Sequence, residues 1–252
     1  MSGHSKWSQI KRQKGTTDAK RGQAFTKLAK AIMVAVSSSG VGDPEQNFKL
    51  RLLVDKARAI NMPKENIERA IDKGLGKGGK DFTRLDEVVY EGFAPGGVAF
   101  IVEALTDNKK RTTPEVKSVI EKNGGTLGNP GSVAYQFHTK GEILVVKSGK
   151  TFDDIFLVAV DAGAEDVQEI GDTTHVLIST TAEALGKVRD ALVLAGIDIS
   201  EAELVRKPIT TVLIENARSA QSVLSFMDKL ENLDDVQKVY SNCDIPEHFI
   251  GE

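Results

Sequence analysis

The hydrophobic pattern of this chain changes at the segment Gly74-Leu75-Gly76-Lys77-Gly78-Gly79-Lys80, which holds four glycines in seven residues. Before it, apolar residues recur every three or four positions, the period of helices that pack by one face. After it, short apolar runs that predict strands alternate with helical runs. A glycine-rich segment is typical of a linker. The sequence therefore predicts a helical module followed by an α+β region.

The helical module carries basic residues on the side opposite its apolar stripe. Asp18 is a suitable N-cap for a first helix whose apolar residues run from Phe25 to Val36. Its lysines fall opposite that stripe: Lys20, Lys27 and Lys30. The segment Asp43-Pro44-Glu45-Gln46 combines an N-cap, a first-turn proline and a capping-box glutamine, and predicts the start of a second helix. A third helix follows the break at Asn61-Met62-Pro63 and ends at Gly74.

The pattern of the region after the linker predicts two small α+β sheets of the split βαβ, ferredoxin-like kind. Strand-like runs lie at residues 98–102, 143–146, 176–178 and 211–214, and helical runs at 114–122, 152–161, 183–194 and 220–230. Residues 136–206 supply a strand, a helix, two strands, a helix and a strand, the order of a ferredoxin-like domain. We therefore predict a basic arm and helical domain (1–80), an α/β domain (81–135 plus 207–247) and an inserted α/β domain (136–206).

Charge is distributed unevenly along the chain. Residues 1–80 hold 17 Lys or Arg against 7 Asp or Glu, whereas the remaining residues hold 16 against 29. The formal net charge of −3 hides this asymmetry. A basic end joined to an acidic body is typical of proteins that meet a polyanion through one module. A solvated helical surface is the simpler alternative.

Several classes of protein are disfavoured by composition. The single cysteine, Cys243, cannot form an intrachain disulfide and fits a reducing compartment, and no apolar run is longer than six residues. We therefore expect a cytosolic protein without a membrane span. The four histidines are scattered without metal-ligand spacing, so we expect no metal and no cofactor. Three acid pairs are interpreted as helix caps or solvated turns, with acid–base chemistry by paired carboxylates as the alternative: Asp153-Asp154, Glu165-Asp166 and Asp234-Asp235.

Catalytic motifs are also missing. Gly74 to Lys80 nearly matches a phosphate-binding P-loop, but Asp81 stands where Ser or Thr must reach magnesium, and a helix precedes it where a strand is needed. The sequence has no nucleophile elbow and no G-x-G-x-x-G motif. These absences predict a protein that is not an enzyme and has no small-molecule substrate.

Long motifs nevertheless resemble one known family. They are Gly3-His4-Ser5-Lys6-Trp7, Asp18-Ala19-Lys20-Arg21-Gly22, Asn61-Met62-Pro63-Lys64-Glu65-Asn66-Ile67, Tyr90-Glu91-Gly92-Phe93-Ala94-Pro95-Gly96-Gly97 and Thr106-Asp107-Asn108-Lys109-Lys110-Arg111-Thr112. These motifs closely resemble the YebC/PmpR family. That resemblance implies an amino-terminal helical domain followed by two α/β domains. It also implies a role in gene expression, because members are described as DNA-binding transcriptional regulators or as translation factors that act on the ribosome.

The resemblance and the charge together assign candidate nucleic-acid-binding residues. The basic set is Lys6, Lys11, Arg12, Lys14, Lys20, Arg21 and Lys27, whose role would be phosphate neutralisation. Trp7 lies in the basic arm, residues 1–17, and would either stack on an unpaired base or hold the arm against the helices. A second basic group, Asn108, Lys109, Lys110 and Arg111, is interpreted as a loop that binds a phosphate or as a solvated turn.

The sequence leaves the target open. The connection between the first two predicted helices, residues 37–43, is too long and glycine-bearing for a tight helix-turn-helix, which disfavours promoter reading. The basic arm suits an RNA surface read by shape, such as rRNA. A structural interaction protein without nucleic-acid binding is the third hypothesis. We expect a monomer.

Overall fold

The computed structural model describes residues 18–77, 85–170 and 174–249. The helices are α1 (Asp18–Ser39), α2 (Phe48–Ala59), α3 (Lys64–Gly74), α4 (Lys109–Lys122), α5 (Phe152–Ala162), α6 (Leu185–Leu194) and α7 (Ala217–Glu231). The strands are β1 (Asp86–Ala94), β2 (Val98–Thr106), β3 (Thr126–Leu127), β4 (Phe137–Val146), β5 (Asp166–Ile170), β6 (His175–Thr181), β7 (Asp198–Pro208), β8 (Val212–Leu213), β9 (Val236–Ser241) and β10 (Cys243–Asp244). The predicted α+β fold class, with a helical amino-terminal region, is confirmed.

The described residues form two compact units. The first draws on residues 18–34, 85–138 and 207–249, and the second on 35–77, 139–170 and 174–206. The three-domain boundaries drawn from the sequence stay a prediction. In these described ranges no helix is both long and apolar enough to cross a membrane.

The first unit is built on a four-stranded sheet with the order β3-β1-β2-β9. All neighbouring strands are antiparallel, and β1 pairs with β2 from Asp86 opposite Thr106 to Ala94 opposite Val98. The reversal between them uses Gly96 and Gly97, whose φ angles of 80° and 75° favour glycine. Side chains of α4 and α7 join those of the strands in one apolar core, where the rings of Phe100 and Phe226 lie 5.2 Å apart.

The second unit contains a four-stranded sheet with the order β5-β6-β4-β7. Its elements follow the chain as β4, α5, β5, β6, α6 and β7, the split βαβ arrangement predicted for residues 136–206. Apolar residues of the sheet and of both helices form its core, including the fully buried Ile143, Ile155, Ile178 and Leu192. The strand order could not be read from the sequence.

The predicted start of α2 at Asp43 is wrong. The helix begins at Phe48, because Asn47 caps it: the Asn47 Oδ1 atom accepts the backbone N–H of Leu50 at 3.1 Å. The Asn47 amide group also donates to the Ala35 carbonyl at 3.1 Å, a contact that no local pattern reveals. Asp43 instead closes a turn by accepting the N–H of Glu45 at 3.0 Å.

Candidate nucleic-acid interface

The polar side of α1 contacts the end of α7. The Gln23 side-chain amide donates to the Asn232 carbonyl at 2.7 Å, and the Lys27 ammonium donates a short hydrogen bond to the Glu231 carbonyl. The last carbonyls of a helix lack partners within the helix, and a positive charge is favoured there. Lys27, predicted as a phosphate-binding residue, therefore also holds α1 against α7.

A buried carboxylate, Asp235, gathers side chains from α1 and α4. Asp235 is only 4% exposed. One carboxylate oxygen accepts from Lys30 Nζ at 2.6 Å, and the other accepts from Arg111 Nη2 at 2.8 Å and from the Thr112 hydroxyl at 2.6 Å. The Thr106 hydroxyl donates to the same second oxygen at 3.2 Å. We call these five residues the Asp235 cluster.

Hydrogen bonds within this cluster keep the Asp235 carboxylate ionised. Burial disfavours the charged carboxylate, but the hydrogen bonds from Lys30, Thr112 and Arg111 outweigh that effect and hold the pKa of Asp235 well below its usual range. The hydrogen bonds from Arg111 to Asp235 and then to Asp107 raise the pKa of that guanidinium above its ordinary value. The ion pairs therefore persist throughout the neutral pH range.

The basic group at residues 108–111 is not a loop, so that sequence interpretation is wrong. Asn108 is the N-cap of α4, with its Oδ1 atom accepting the N–H groups of Lys110 at 3.1 Å and Arg111 at 3.2 Å. The helix starts at Lys109, five residues before the predicted helical run at 114–122, because Asn108 supplies this cap. Lys109 and Arg111 thus lie in the first helical turn.

Positive charge at a helix N-terminus is unfavourable, and nearby carboxylates offset it. Lys109 Nζ lies 3.3 Å from an oxygen of Asp86, and Arg111 Nη2 lies 2.7 Å from an oxygen of Asp107. Lys110 is exposed and forms no ion pair with any residue that the structure describes. Of the four residues, Lys110 is therefore the one whose charge is most available to a ligand.

An open cleft of about 730 Å³ lies beside the Asp235 cluster in the first unit. Its lining residues are Lys20, Gln23, Thr26, Lys30, Arg111, Glu115, Asp234 and Asp235. Three of these side chains are cationic and three are carboxylates, so the formal charge of the lining is zero. Lys30 and Arg111 already bind Asp235, whereas Lys20 is exposed and forms no ion pair with the residues that the structure describes.

The structure brings only some of the candidate residues together. Lys20 and Arg111 share the cleft, Lys27 binds the end of α7, and Arg21 is exposed on α1. Five candidates lie outside the described residues: Lys6, Trp7, Lys11, Arg12 and Lys14.

The role of Asp235 was not predicted from the sequence, because this residue is buried and does not belong to a solvated turn. Its cationic partners lie 124 and 205 positions away along the chain, so no local pattern marks it. Cys243 is also buried, and that burial raises the pKa of its thiol, as is typical of structural cysteines.

Two family models match almost all of the chain. The model of the TACO1/YebC amino-terminal domain matches residues 5–77, and the model of the TACO1/YebC second and third domain matches residues 85–243. These ranges include both the cations of α1 and the Asp235 cluster. The family resemblance carried by the sequence motifs is thereby confirmed.

Proteins of similar sequence and structure support the same family assignment. A "probable transcriptional regulatory protein" of Roseiflexus castenholzii is 52% identical over 97% of this chain and 96% of its own length. A protein of the same description from Chloroflexus aurantiacus is 47% identical over 100% of this chain and 98% of its own length. The crystal structure of a conserved hypothetical protein from Aquifex aeolicus superposes with a TM-score of 0.82 at 45% identity, covering 91% of this chain and 93% of the other. The chain therefore belongs to the TACO1/YebC family.

Proposed function

We propose that this protein is a non-enzymatic regulator of gene expression that binds nucleic acid through its basic amino-terminal segment. The observation that carries the proposal is the excess of cations in residues 1–80, 17 against 7 acids, in a chain whose remainder is acidic. Within this segment Lys20 and Arg21 are exposed on α1, and Lys109 and Lys110 add exposed cations on α4. Neutralising phosphates with such cations releases counterions and supplies affinity without sequence specificity.

Regulation of transcription is the first candidate role. The relatives from Roseiflexus castenholzii and Chloroflexus aurantiacus are named probable transcriptional regulatory proteins. In addition, α2 and α3 are joined by four residues, a connection of helix-turn-helix length. A DNA-binding role would place α3 in the major groove.

Action on the ribosome is the second candidate role, and the charge of α3 favours it. That helix carries three cations and three carboxylates, Lys64, Arg69 and Lys73 against Glu65, Glu68 and Asp72, so it lacks the positive charge that a phosphate-lined groove attracts. The basic arm and α1 suit an RNA surface read by shape. The protein would then act in the cytosol as a translation factor bound to rRNA.

Two binding assays on the purified chain separate these roles. One is sedimentation with ribosomes, and the other is a salt-titrated mobility shift on promoter-derived and scrambled DNA. The variant Lys11/Arg12/Lys14→Ala removes three charges from the arm. The matched control, Lys64/Arg69/Lys73→Ala, removes three charges from α3.

Each role gives a distinct result. Ribosome sedimentation that is lost in the arm variant and kept in the α3 control supports the translational role. Preference for promoter DNA over scrambled DNA at near-physiological salt, lost in the α3 variant, supports the transcriptional role. A protein that binds neither ribosomes nor DNA at low salt would overturn the proposal and favour a structural interaction protein.

A further inference from the structure

A second buried carboxylate shapes the segment between β3 and β4. Glu91 is 6% exposed, and its carboxylate accepts three backbone N–H groups. Oε1 binds the amide of Gly131 at 2.8 Å, while Oε2 binds those of Val133 at 2.9 Å and Ala134 at 2.8 Å. Residues 128–136, which curl around this carboxylate, are called the Glu91 loop.

The Glu91 loop is held in one conformation. Burying a carboxylate is unfavourable unless hydrogen bonds replace its water, and bonds from amides to a charged oxygen are strong. A Cβ atom at Gly128 would lie 2.4 Å from the Ser132 hydroxyl oxygen and 3.1 Å from the Ser132 Cβ atom, so a side chain there would force Ser132 to shift. Gly131 has a φ of 86°, another conformation that favours glycine. The loop is therefore preorganised.

This rigid loop displays an aromatic side chain. Tyr135 is 71% exposed, whereas Tyr90 and Tyr240 are buried in the same unit. The Gln136 side-chain amide donates to the Tyr135 hydroxyl at 3.3 Å, and the Gln136 carbonyl accepts the N–H of Ile209 at 2.8 Å. The residues that flank the tyrosine are thus anchored while its ring faces solvent.

The surroundings of Tyr135 in the sequence lack negative charge. Neither residues 128–138 nor residues 207–211, which the hydrogen bond between Gln136 and Ile209 joins, contain an Asp or Glu. They do contain Lys207 and the exposed His138. Residues 81–252 hold 29 acids against 16 cations, so these two segments lack acidic residues in an acidic part of the chain. The carboxylate that the loop does bind, Glu91, is buried, and three backbone N–H groups donate to it.

We propose that Tyr135 is a stacking platform for an unpaired base of single-stranded nucleic acid. A flat exposed ring binds any base through its face, and a rigid loop lowers the entropy lost on binding. The two segments contribute no exposed carboxylate of their own, which lowers the repulsion that a phosphate backbone would meet there. This inference rests on the proposed nucleic-acid binding and adds a binding residue far in sequence from the basic arm.

The test measures binding of fluorescently labelled oligo(U), oligo(dT) and a duplex of equal length to the full chain. We compare the wild type with Tyr135→Ala and with Tyr135→Phe, which keeps the ring. Phe156→Ala is the matched control, because Phe156 is a 40% exposed aromatic residue in the acidic second unit. Thermal unfolding of each variant checks that the exposed positions leave the fold intact.

We expect Tyr135→Ala to bind both single strands about tenfold more weakly, with an unchanged dependence on salt because no charge is removed. Tyr135→Phe and Phe156→Ala should bind like the wild type, and the duplex should bind equally to all four proteins. A loss confined to oligo(U) or to oligo(dT) still supports stacking and identifies RNA or DNA as the ligand.

Three results would overturn the inference. If the wild type binds single strands and Tyr135→Ala binds them equally well, the platform is refuted while the proposed function stands. If Tyr135→Phe is as weak as Tyr135→Ala, the hydroxyl group binds the ligand and the ring does not stack. If the wild type binds no nucleic acid at low salt, both the inference and the proposed function fail, and Tyr135 belongs to a protein-binding surface.

Discussion

Two buried carboxylates in the first unit have opposite consequences for binding. Glu91 accepts backbone amides and so gives shape to a loop, whereas Asp235 accepts cationic side chains and so neutralises them. The loop around Glu91 leaves an aromatic ring exposed, whereas Asp235 engages two cations, Lys30 and Arg111, in ion pairs. A count of basic residues therefore overstates the charge that α1 and α4 offer to a polyanion.

The largest effect on stability is expected at Glu91. Glu91→Gln keeps the size of the side chain but places an NH2 group against a backbone N–H, so at least one buried donor loses its acceptor. We expect the free energy of unfolding to fall by about 2 to 4 kcal/mol in urea titrations. Glu87→Gln, at an exposed position on the same strand, is the control and should change it by less than about 0.5 kcal/mol. Equal stability of the two variants would contradict the role of Glu91.

Removing the charge of Asp235 should affect stability and binding in opposite directions. We expect Asp235→Asn to lower the free energy of unfolding by about 1 to 3 kcal/mol, because charge-assisted hydrogen bonds are removed. The same change frees Lys30 and Arg111, so affinity for nucleic acid should rise and the salt dependence should steepen. Asp234→Asn changes the net charge by the same amount at an exposed neighbouring residue. It therefore distinguishes an effect of the released cations, Lys30 and Arg111, from an effect of net charge. Weaker binding by Asp235→Asn would show that the cluster positions the ligand.

The pH dependence of stability gives a smaller effect with a defined sign. The folded-state pKa of Asp235 is lowered, so its contribution is fully present above the unfolded-state pKa and is lost as pH falls toward the folded one. The difference in stability between wild type and Asp235→Asn should be constant from neutral pH down to about 4 and shrink below that. Denaturant titrations across this range measure it. A difference that grows on acidification would rule out an ionised Asp235.

The smallest effect on stability is expected at Lys20. This exposed cation of the cleft forms no ion pair within the described part of the chain, so Lys20→Ala should change the free energy of unfolding by less than about 0.5 kcal/mol. Lys30→Ala, on the same helix, should cost about 1 to 2 kcal/mol because it removes a partner of Asp235. Thermal unfolding of both variants compares them. If Lys20→Ala destabilised the protein as much as Lys30→Ala, both lysines would contribute to the stability of the fold.

Periodicity predicted the fold class and most helices, but it missed β1. That strand holds Glu91 and Gly92, which interrupt its apolar pattern. Contacts with distant segments require both residues. Glu91 binds the loop amides, and a Cβ atom at Gly92 would lie 2.2 Å from the Thr126 carbonyl oxygen. Such interactions join distant segments, and a local pattern does not contain them.

The candidate site was predicted in part. The spacing of Lys20, Lys27 and Lys30 placed these lysines on the polar side of α1, because a helical period is a local property. Which of them are neutralised depends on Asp235 and on the end of α7, both about 200 positions later in the chain. The loop that displays Tyr135 is likewise held by Glu91, which lies 44 positions earlier in the chain.

Binding through the basic arm can be tested by the salt dependence of oligonucleotide binding to the wild type and to Lys11/Arg12/Lys14→Ala. We expect the logarithm of the wild-type association constant to fall linearly with the logarithm of salt concentration. The slope should be shallower by about 2 to 3 in the variant, close to one for each phosphate that the arm no longer neutralises. An arm variant with the wild-type slope, or wild-type binding that salt does not weaken, would contradict binding through these cations.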